Sequence, residues 1–198
     1  MAGTPKKNKI RYGLTNVHIA KLTISEDGTY LFEKPQRLPG AISLTLTPKG
    51  ETVTVAADDD DEYARVDVNS GYDSTLEMAR IDDDFYVQYL GESVDSKKVQ
   101  FEKSDSEIHS PFALLFEFTG DVKKIRHVMY HCQASRPEIS SKTRNKSLEI
   151  ATESLKLTMK NIPGTNLIKA KTKEDTDPTV YESWYDAVYT ETKEVIQG

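Results

Sequence analysis

The chain has 198 residues, enough for one domain with a buried core, and carries 26 basic against 32 acidic side chains, for a net charge of −6. An acidic chain repels nucleic acid and anionic membrane, which argues against a dedicated DNA-binding protein. Its one cysteine, Cys132, excludes an intrachain disulfide framework and any zinc site built on paired cysteines.

The N-terminal segment 1–11 is polar and basic, with Lys6, Lys7, Lys9 and Arg11 among its residues. It is predicted to be a flexible arm. No apolar run follows that resembles a signal peptide or a membrane span of roughly 20 residues, so the chain is expected to be soluble in the cytosol where it is made. Residues 12–190 are predicted to form a single β domain, and residues 191–198 a C-terminal tail.

Apolar and polar residues alternate along most of the chain, and this period of two predicts half-buried strands. The segment AISLTLT (41–47) is a predicted strand, and Pro48-Lys49-Gly50 is predicted to turn the chain back into TVTVA (52–56). A further strand, GYDSTLEMARI (71–81), follows a predicted turn at Asn69-Ser70-Gly71. The expected result is a sheet of short strands joined by tight turns.

Five acidic residues in a row follow the predicted strand TVTVA: Asp58, Asp59, Asp60, Asp61 and Glu62. Carboxylate oxygens suit calcium and magnesium, but the spacing here and in the following DVNSGYDSTLE lacks the ligand and glycine positions of an EF-hand loop. A metal site is therefore not predicted. The remaining interpretations are a charged surface with a function and a plain solvated turn.

Two short helices are predicted. Three aspartates at 82–84 precede FYVQYLG, where one can cap the helix and the others favour its positive end, and Gly91 ends it. Near the C-terminus, Asp177 is a predicted N-cap and Pro178 occupies the first turn. That second helix is expected to dock on a sheet through one apolar stripe, formed by Val180, Trp184 and Val188.

The clearest core strand is PFALLFEFTGD (111–121), which is predicted to turn at Thr119-Gly120-Asp121 and return as KKIRHVMYHCQA (123–134). In LEIATESLKLTMK (148–160) the apolar positions change parity, which predicts a bulge or a bend. Polar segments near 92–110 and 136–147 are predicted long loops.

Enzymatic chemistry finds no support in the motifs. The sequence contains no G-x-S-x-G elbow, no Walker loop and no H-E-x-x-H helix. His127 and His131 share a strand face but stand roughly 13 Å apart at about 3.3 Å per residue, too far to hold one metal ion. Cys132 is predicted to be a buried, inert strand residue. Neither an enzyme nor a cofactor is predicted.

Charge is segregated by segment. A basic loop contains Arg136, Lys142, Arg144 and Lys146, whereas the acidic run at 58–62 has the opposite sign. Opposite patches on one surface favour self-assembly, because complementary charge sets the register between identical copies. Ordinary solvated loops are the competing interpretation.

Seven segments, taken in order, resemble the major tail protein family of bacteriophages with long non-contractile tails that infect Gram-positive bacteria. They are YGLTNVHIA (12–20), LPGAISLTL (38–46), ADD (57–59), NSGYDSTLEMARIDDDF (69–85), FALLFEFTGD (112–121), RHVMYHCQASRP (126–137) and the closing stretch from KAKT to Tyr189. The acidic run is longer here than the ADD element of that family.

The resemblance implies a mainly β tail-tube subunit. It implies two packed antiparallel sheets in a sandwich or partial barrel, with one or two short helices and long loops. Such subunits form hexameric rings that stack into a hollow tube for the outgoing DNA. The partners implied are further copies of the chain and the tape-measure, tail-completion and distal tail proteins, in the virion. The N-terminal arm, the loop 92–110 and the basic loop are the implied contacts between subunits.

Three placements of the acidic run remain open under this resemblance. It lines the lumen and keeps DNA from sticking, it meets the basic loop of the next ring, or it is a solvated turn. The alternative function is a β-sandwich binding module, for instance for cell-surface carbohydrate. The predicted core position of Trp184, the sole tryptophan, argues against that alternative.

Overall fold

A computed structural model describes residues 12–104, 109–120, 124–139 and 151–191 of the chain. These residues contain eleven strands, two short α-helices and one 3₁₀ turn. The strands are β1 Leu14–Ile24, β2 Tyr30–Phe32, β3 Gln36–Arg37, β4 Ala41–Ala57, β5 Asp60–Met78, β6 Ser93–Val94, β7 Gln100–Phe101, β8 Phe112–Phe118, β9 Arg126–Ala134, β10 Glu153–Lys160 and β11 Lys169–Lys171. The helices are α1 Asp83–Tyr89 and α2 Pro178–Glu182, and the 3₁₀ turn Ser183–Tyr185 continues α2.

Nine of these strands form one antiparallel sheet. Its main path runs β2-β1-β8-β9-β10-β5-β4, with β3 paired to β1 and β11 paired to β9. Strands β6 and β7 form a separate two-stranded sheet. The expected mainly β fold, with two antiparallel sheets and two short helices, is confirmed. The two sheets are very unequal in size, because almost every long strand joins the first.

The main sheet curls without closing into a barrel. Strands β1 and β4 lie far apart along the strand order, yet they contact each other across the fold. The larger core lies inside this curl, with residues from β1, β4, β5, β8, β9 and β10. On its outer edge β4 pairs with no other strand of the described residues. The curl therefore leaves one long free edge.

Helix α1 packs into the concave side of the curl. The side chain of Asp82 accepts a hydrogen bond from the Asp84 backbone N–H at 3.4 Å, and Gly91 follows the helix with φ 75°. The aromatic rings of Phe85 and Tyr89 then contact Phe112 of β8 edge-on, at centroid distances of 5.8 and 5.0 Å. The predicted cap, helix and stop are confirmed.

Helix α2 covers the opposite face of the sheet. Asp177 accepts from the Thr179 N–H at 2.8 Å, and Trp184 is 3% exposed in the second core, which includes Leu115 of β8 and Tyr130 of β9. Strand β8 thus buries both faces, with alternate residues in the two cores. The predicted docking of the C-terminal stripe on a sheet is confirmed, and so is the hairpin of β8 and β9.

Two predicted turns are wrong. Pro48-Lys49-Gly50 lies inside β4, and Asn69-Ser70-Gly71 lies inside β5. These strands pair over almost their whole length, and the chain reverses only at Asp58-Asp59. Proline is tolerated because β4 is an edge strand, where a missing N–H breaks no ladder hydrogen bond. The loop expected at 92–110 contains the small hairpin of β6 and β7.

Candidate assembly interface

An exposed apolar surface lies on the outer half of the β4–β5 pair, residues 50–69, which we call the distal hairpin. β5 pairs with β10 only from Tyr72 onward, so the distal hairpin has no third strand beside it in the described structure. None of its residues belongs to either core. At about 3.3 Å per residue, it extends roughly 26 Å from Gly50 to its tip. A two-stranded hairpin is only marginally stable alone in water.

One face of the distal hairpin is lined with valine. The pairs Val53↔Val66 and Val55↔Ala64 lie directly opposite each other, and Val68 stands opposite Glu51. Four valines on this face are about half exposed: Val53 at 47%, Val55 at 50%, Val66 at 55% and Val68 at 47%. We call these four residues the valine face. Contiguous exposed apolar side chains of this kind typically mark an interaction site.

The opposite face of the distal hairpin is polar. Thr52 Oγ1 donates to Asp67 Oδ1 at 2.6 Å, and Arg65 Nε lies 3.4 Å from the same carboxylate oxygen. Thr54 stands opposite Arg65 in the ladder. The distal hairpin is therefore amphipathic, with the pattern of a strand pair that has one face buried, although no element of the described residues covers that face.

A β-bulge where the distal hairpin leaves the body sets the direction of the valine face. Lys49 pairs with Gly71 and Gly50 with Asn69, so Ser70 is an extra residue on β5. A Cβ on Gly71 would lie 2.0 Å from the Met159 carbonyl oxygen, and the φ of Gly71 is +110°. Glycine is required at this bulge by both space and backbone conformation.

The acidic run forms the tip of the distal hairpin. Asp58 and Asp59 are the two residues of the turn, with φ 53° and 61°. Two consecutive positive φ values are typical of a type I′ turn, for which aspartate, asparagine and glycine are favoured. Asp58, Asp59 and Asp61 are exposed. The side chains of Asp60 and Glu62 lie outside the described structure.

The basic segments are described only in part. Arg136 Nε lies 2.9 Å from Glu102 Oε1, an ion pair that ties the basic loop to the segment after β7. Lys142, Arg144 and Lys146 lie outside the described residues, as do Lys6, Lys7, Lys9 and Arg11 of the N-terminal arm. The C-terminal tail lies outside them as well, except for Glu191. The inter-subunit role of these segments stays a prediction.

A groove of about 590 Å³ opens where β9 exchanges β10 for β11 as its neighbour, so that the sheet divides. We call it the split groove. The exposed Lys169 and Lys171 border it, and Lys169 contacts Tyr72 across it through a hydrogen bond and the ring face. Its apolar lining comes mainly from Leu44, Leu46, Phe116, Phe118 and Met129. None of the described residues that line it is acidic.

A buried charged cluster lies under α2. Glu117, with its side chain 4% exposed, lies 3.5 Å from both Arg126 Nε and Lys124 Nζ, and Tyr185 Oη donates to it at 3.3 Å. The Arg126 guanidinium stacks on the Tyr181 ring at 3.9 Å. Burial, with the Glu117 carboxylate beside it, raises the pKa of Tyr185. The cluster holds the C-terminal helix on the sheet and is closed to a substrate.

The lone thiol and the metal-binding residue types form no accessible site in the described part of the chain. Cys132 is fully buried, and burial raises the pKa of its thiol. Among residues 12–104, 109–120, 124–139 and 151–191, no group of three His, Cys, Asp or Glu side chains could hold a metal ion. No helix in these ranges is both long and apolar enough to cross a membrane.

Sequence reasoning placed the acidic run at a strand end but missed the valine face. The signal was present: valine alternates with threonine or aspartate in TVTV and in VDV. TVTV is predicted to pair with AISLTLT, and VDV lies in no predicted strand, so the pairing of TVTV with VDV was missed. The split groove left no local signal, because its residues come from five strands far apart in the sequence.

The sequence matches no family model and no curated protein. Among solved structures, the chain is similar to the cap of the anti-feeding prophage, described as its tube-terminating cap. The two share 10% sequence identity over 87% of this chain and 99% of the other, with a TM-score of 0.44. This likeness is distant and by itself assigns no function.

Proposed function

We propose that the chain is a structural subunit that assembles with copies of itself into a hollow tube, as the major tube subunit of a phage tail. The resemblance of seven ordered sequence segments to that family supports the proposal. Under it, hexameric rings stack in the virion, the other tail proteins start and end the tube, and DNA passes through without specific binding. The proposed role is non-enzymatic.

The observation that carries the proposal is the distal hairpin. A subunit that functioned alone would have little reason to keep an amphipathic hairpin whose apolar face meets water, since exposed edges and apolar faces are aggregation hazards. Strand β4, which is 17 residues long, also has no strand partner on its outer edge among the described residues. Both features are satisfied when identical copies cover them, because a ring of subunits can join open sheets at their edges.

A carbohydrate-binding module receives no such support. The sole tryptophan, Trp184, is predicted in the core and is 3% exposed there, where it stacks on Tyr189 at a centroid distance of 5.9 Å. An indole in that position packs in the core and is unavailable to stack on a sugar.

Electron microscopy of the purified chain at rising concentration tests the proposal. Wild-type protein is expected to form rings or hollow tubes of uniform diameter. Val53 and Val66 are each about half exposed, and burying the remaining half of a valine contributes roughly 1 kcal/mol. The double variant Val53→Ser/Val66→Ser should therefore weaken each contact by about 2 kcal/mol, or roughly thirtyfold in the dissociation constant.

The matched control is Thr54→Ser on the polar face of the same hairpin. It should assemble as the wild type does, and all three proteins should unfold at similar urea concentrations. A wild-type chain that stays monomeric at every concentration would contradict the proposal. So would a double variant that assembles as readily as the control.

A further inference from the structure

We infer that the split groove receives the distal hairpin of a second copy of the chain, in a head-to-tail contact. The inference rests on the proposed function, since it names the partner of the surface on which that function depends. The groove presents the half-buried Leu44, Leu46 and Phe118 above the fully buried Phe116 and Met129. The hairpin supplies the valine face, whose four side chains no other element of the described residues covers.

Charge complementarity favours this occupant. The hairpin tip carries the exposed carboxylates of Asp58, Asp59 and Asp61, while Lys169 and Lys171 border a groove with no acidic residue among those that line it. Opposite charges at the rim set orientation and register, while the apolar contact inside supplies most of the binding energy.

A hairpin cannot dock in the groove of its own subunit. Leu44 and Leu46 of the groove wall and Val53 and Val55 of the hairpin belong to the same continuous strand. They occupy even and odd positions, so they face opposite sides of the ribbon. A strand that forms the wall of a groove cannot also turn back into it without breaking its pairing. The occupant must come from another copy.

The geometry also separates this contact from a symmetric pairing of two valine faces. Two hairpins joined face to face form an isologous dimer, in which both valine faces are occupied and no further copy can bind there. A one-way contact of a hairpin in a groove leaves the pair with one free hairpin and one free groove, so it repeats around a ring or along a tube, whereas a reciprocal exchange between two copies closes as a dimer. Only the one-way contact serves a tube.

Disulfide trapping between two single variants tests the inference. One chain carries Val66→Cys on the valine face and the other carries Leu46→Cys in the groove wall, while the native Cys132 is fully buried. Mixed under mild oxidation, they should give a covalent dimer on a non-reducing gel. The matched control replaces Val66→Cys by Thr54→Cys on the polar face and should give little. Each sample is also viewed by electron microscopy.

The possible outcomes separate the inference from the proposed function. Tubes without the Val66–Leu46 cross-link overturn the inference and leave the tube. The cross-link without tubes supports the inference and overturns the tube. Efficient self-linking of the Val66→Cys chain alone shows valine faces in symmetric contact and overturns the inference.

A charge reversal gives an independent check. Lys171→Glu places a carboxylate beside the docked acidic tip and should raise the concentration needed for assembly several-fold. An unchanged concentration would overturn the inference.

Discussion

Replacing Gly71 by alanine measures how strongly the bulge is held. The new Cβ would lie 2.0 Å from the Met159 carbonyl oxygen, a separation that real Cβ atoms do not adopt, so β5 and β10 must move apart by at least about 1 Å. Tyr72 pairs with Met159 at this position, and hydrogen bonds there contribute about 1 kcal/mol each. A non-glycine residue at φ +110° costs roughly 1–3 kcal/mol more. The total expected loss is about 3–4 kcal/mol.

Gly28→Ala is the matched control. Gly28 also has a positive φ, +83°, but a Cβ there meets nothing within 4 Å. Its cost is backbone strain alone, partly offset by about 0.4–1 kcal/mol because alanine lowers the entropy of the unfolded chain. The net expected loss is about 1 kcal/mol.

Urea unfolding of both variants, extrapolated to water, gives the comparison. Gly71→Ala is expected to be less stable than Gly28→Ala by about 2 kcal/mol or more. Variants within about 0.5 kcal/mol of each other would show that β10 does not hold the bulge tightly, and the fixed direction of the valine face would lose its explanation.

Three further predictions concern the body and the hairpin turn. Burial raises the pKa of Tyr89 to about 12 and also raises that of Tyr130, so above pH of about 10 the folded state retains protons that the unfolded state loses. The free energy of unfolding should therefore be constant below pH of about 10 and fall above it, by less than about 1.4 kcal/mol per pH unit for each tyrosine. Denaturation measured between about pH 9 and pH 11.5 should show a shallower fall in Tyr89→Phe than in the wild type. Glu117→Leu leaves the Arg126 cation under α2 without its carboxylate and should lower the free energy of unfolding, measured with urea, by about 3–5 kcal/mol. A decrease of less than about 1 kcal/mol would argue against the buried pair. At the turn, Asp59→Gly should leave hydrogen exchange in the distal hairpin nearly unchanged. Asp59→Val places a β-branched residue at φ 61° and should speed hydrogen exchange throughout the distal hairpin. Equal exchange in the two variants would argue against the turn.

Local patterns predicted the elements that local chemistry determines. The caps Asp82 and Asp177, helix α1 and the alternating strand at 112–118 were found where the sequence placed them. The C-terminal helix begins where predicted but is shorter, because its α-helical part ends at Glu182 and a 3₁₀ turn continues it only to Tyr185, before Val188. Each depends on residues within one or two turns of one another, so no knowledge of the remaining chain was needed.

The two wrong turns show where local reasoning stops. Pro48 and Gly71 are both residues that break strands in isolation. Here an edge position accommodates the proline, and the close approach of Met159 demands the glycine. Whether β4 lies at an edge depends on the order of the whole sheet, and what lies beside Gly71 is decided by Met159, more than 80 positions away. The split groove depends on the same kind of distant pairing.

The acidic run now has two separable explanations. A turn with two positive φ values accounts for aspartate at positions 58 and 59, whatever the tip contacts. It does not account for Asp61, which lies in β5, where aspartate is disfavoured. Like charges at the tip would also oppose the approach of two hairpins with their tips together, which is one means by which proteins keep exposed strand pairs from aggregating. The same charges would be neutralised beside the two lysines of the split groove, so the proposed contact would favour the productive partner over the symmetric one.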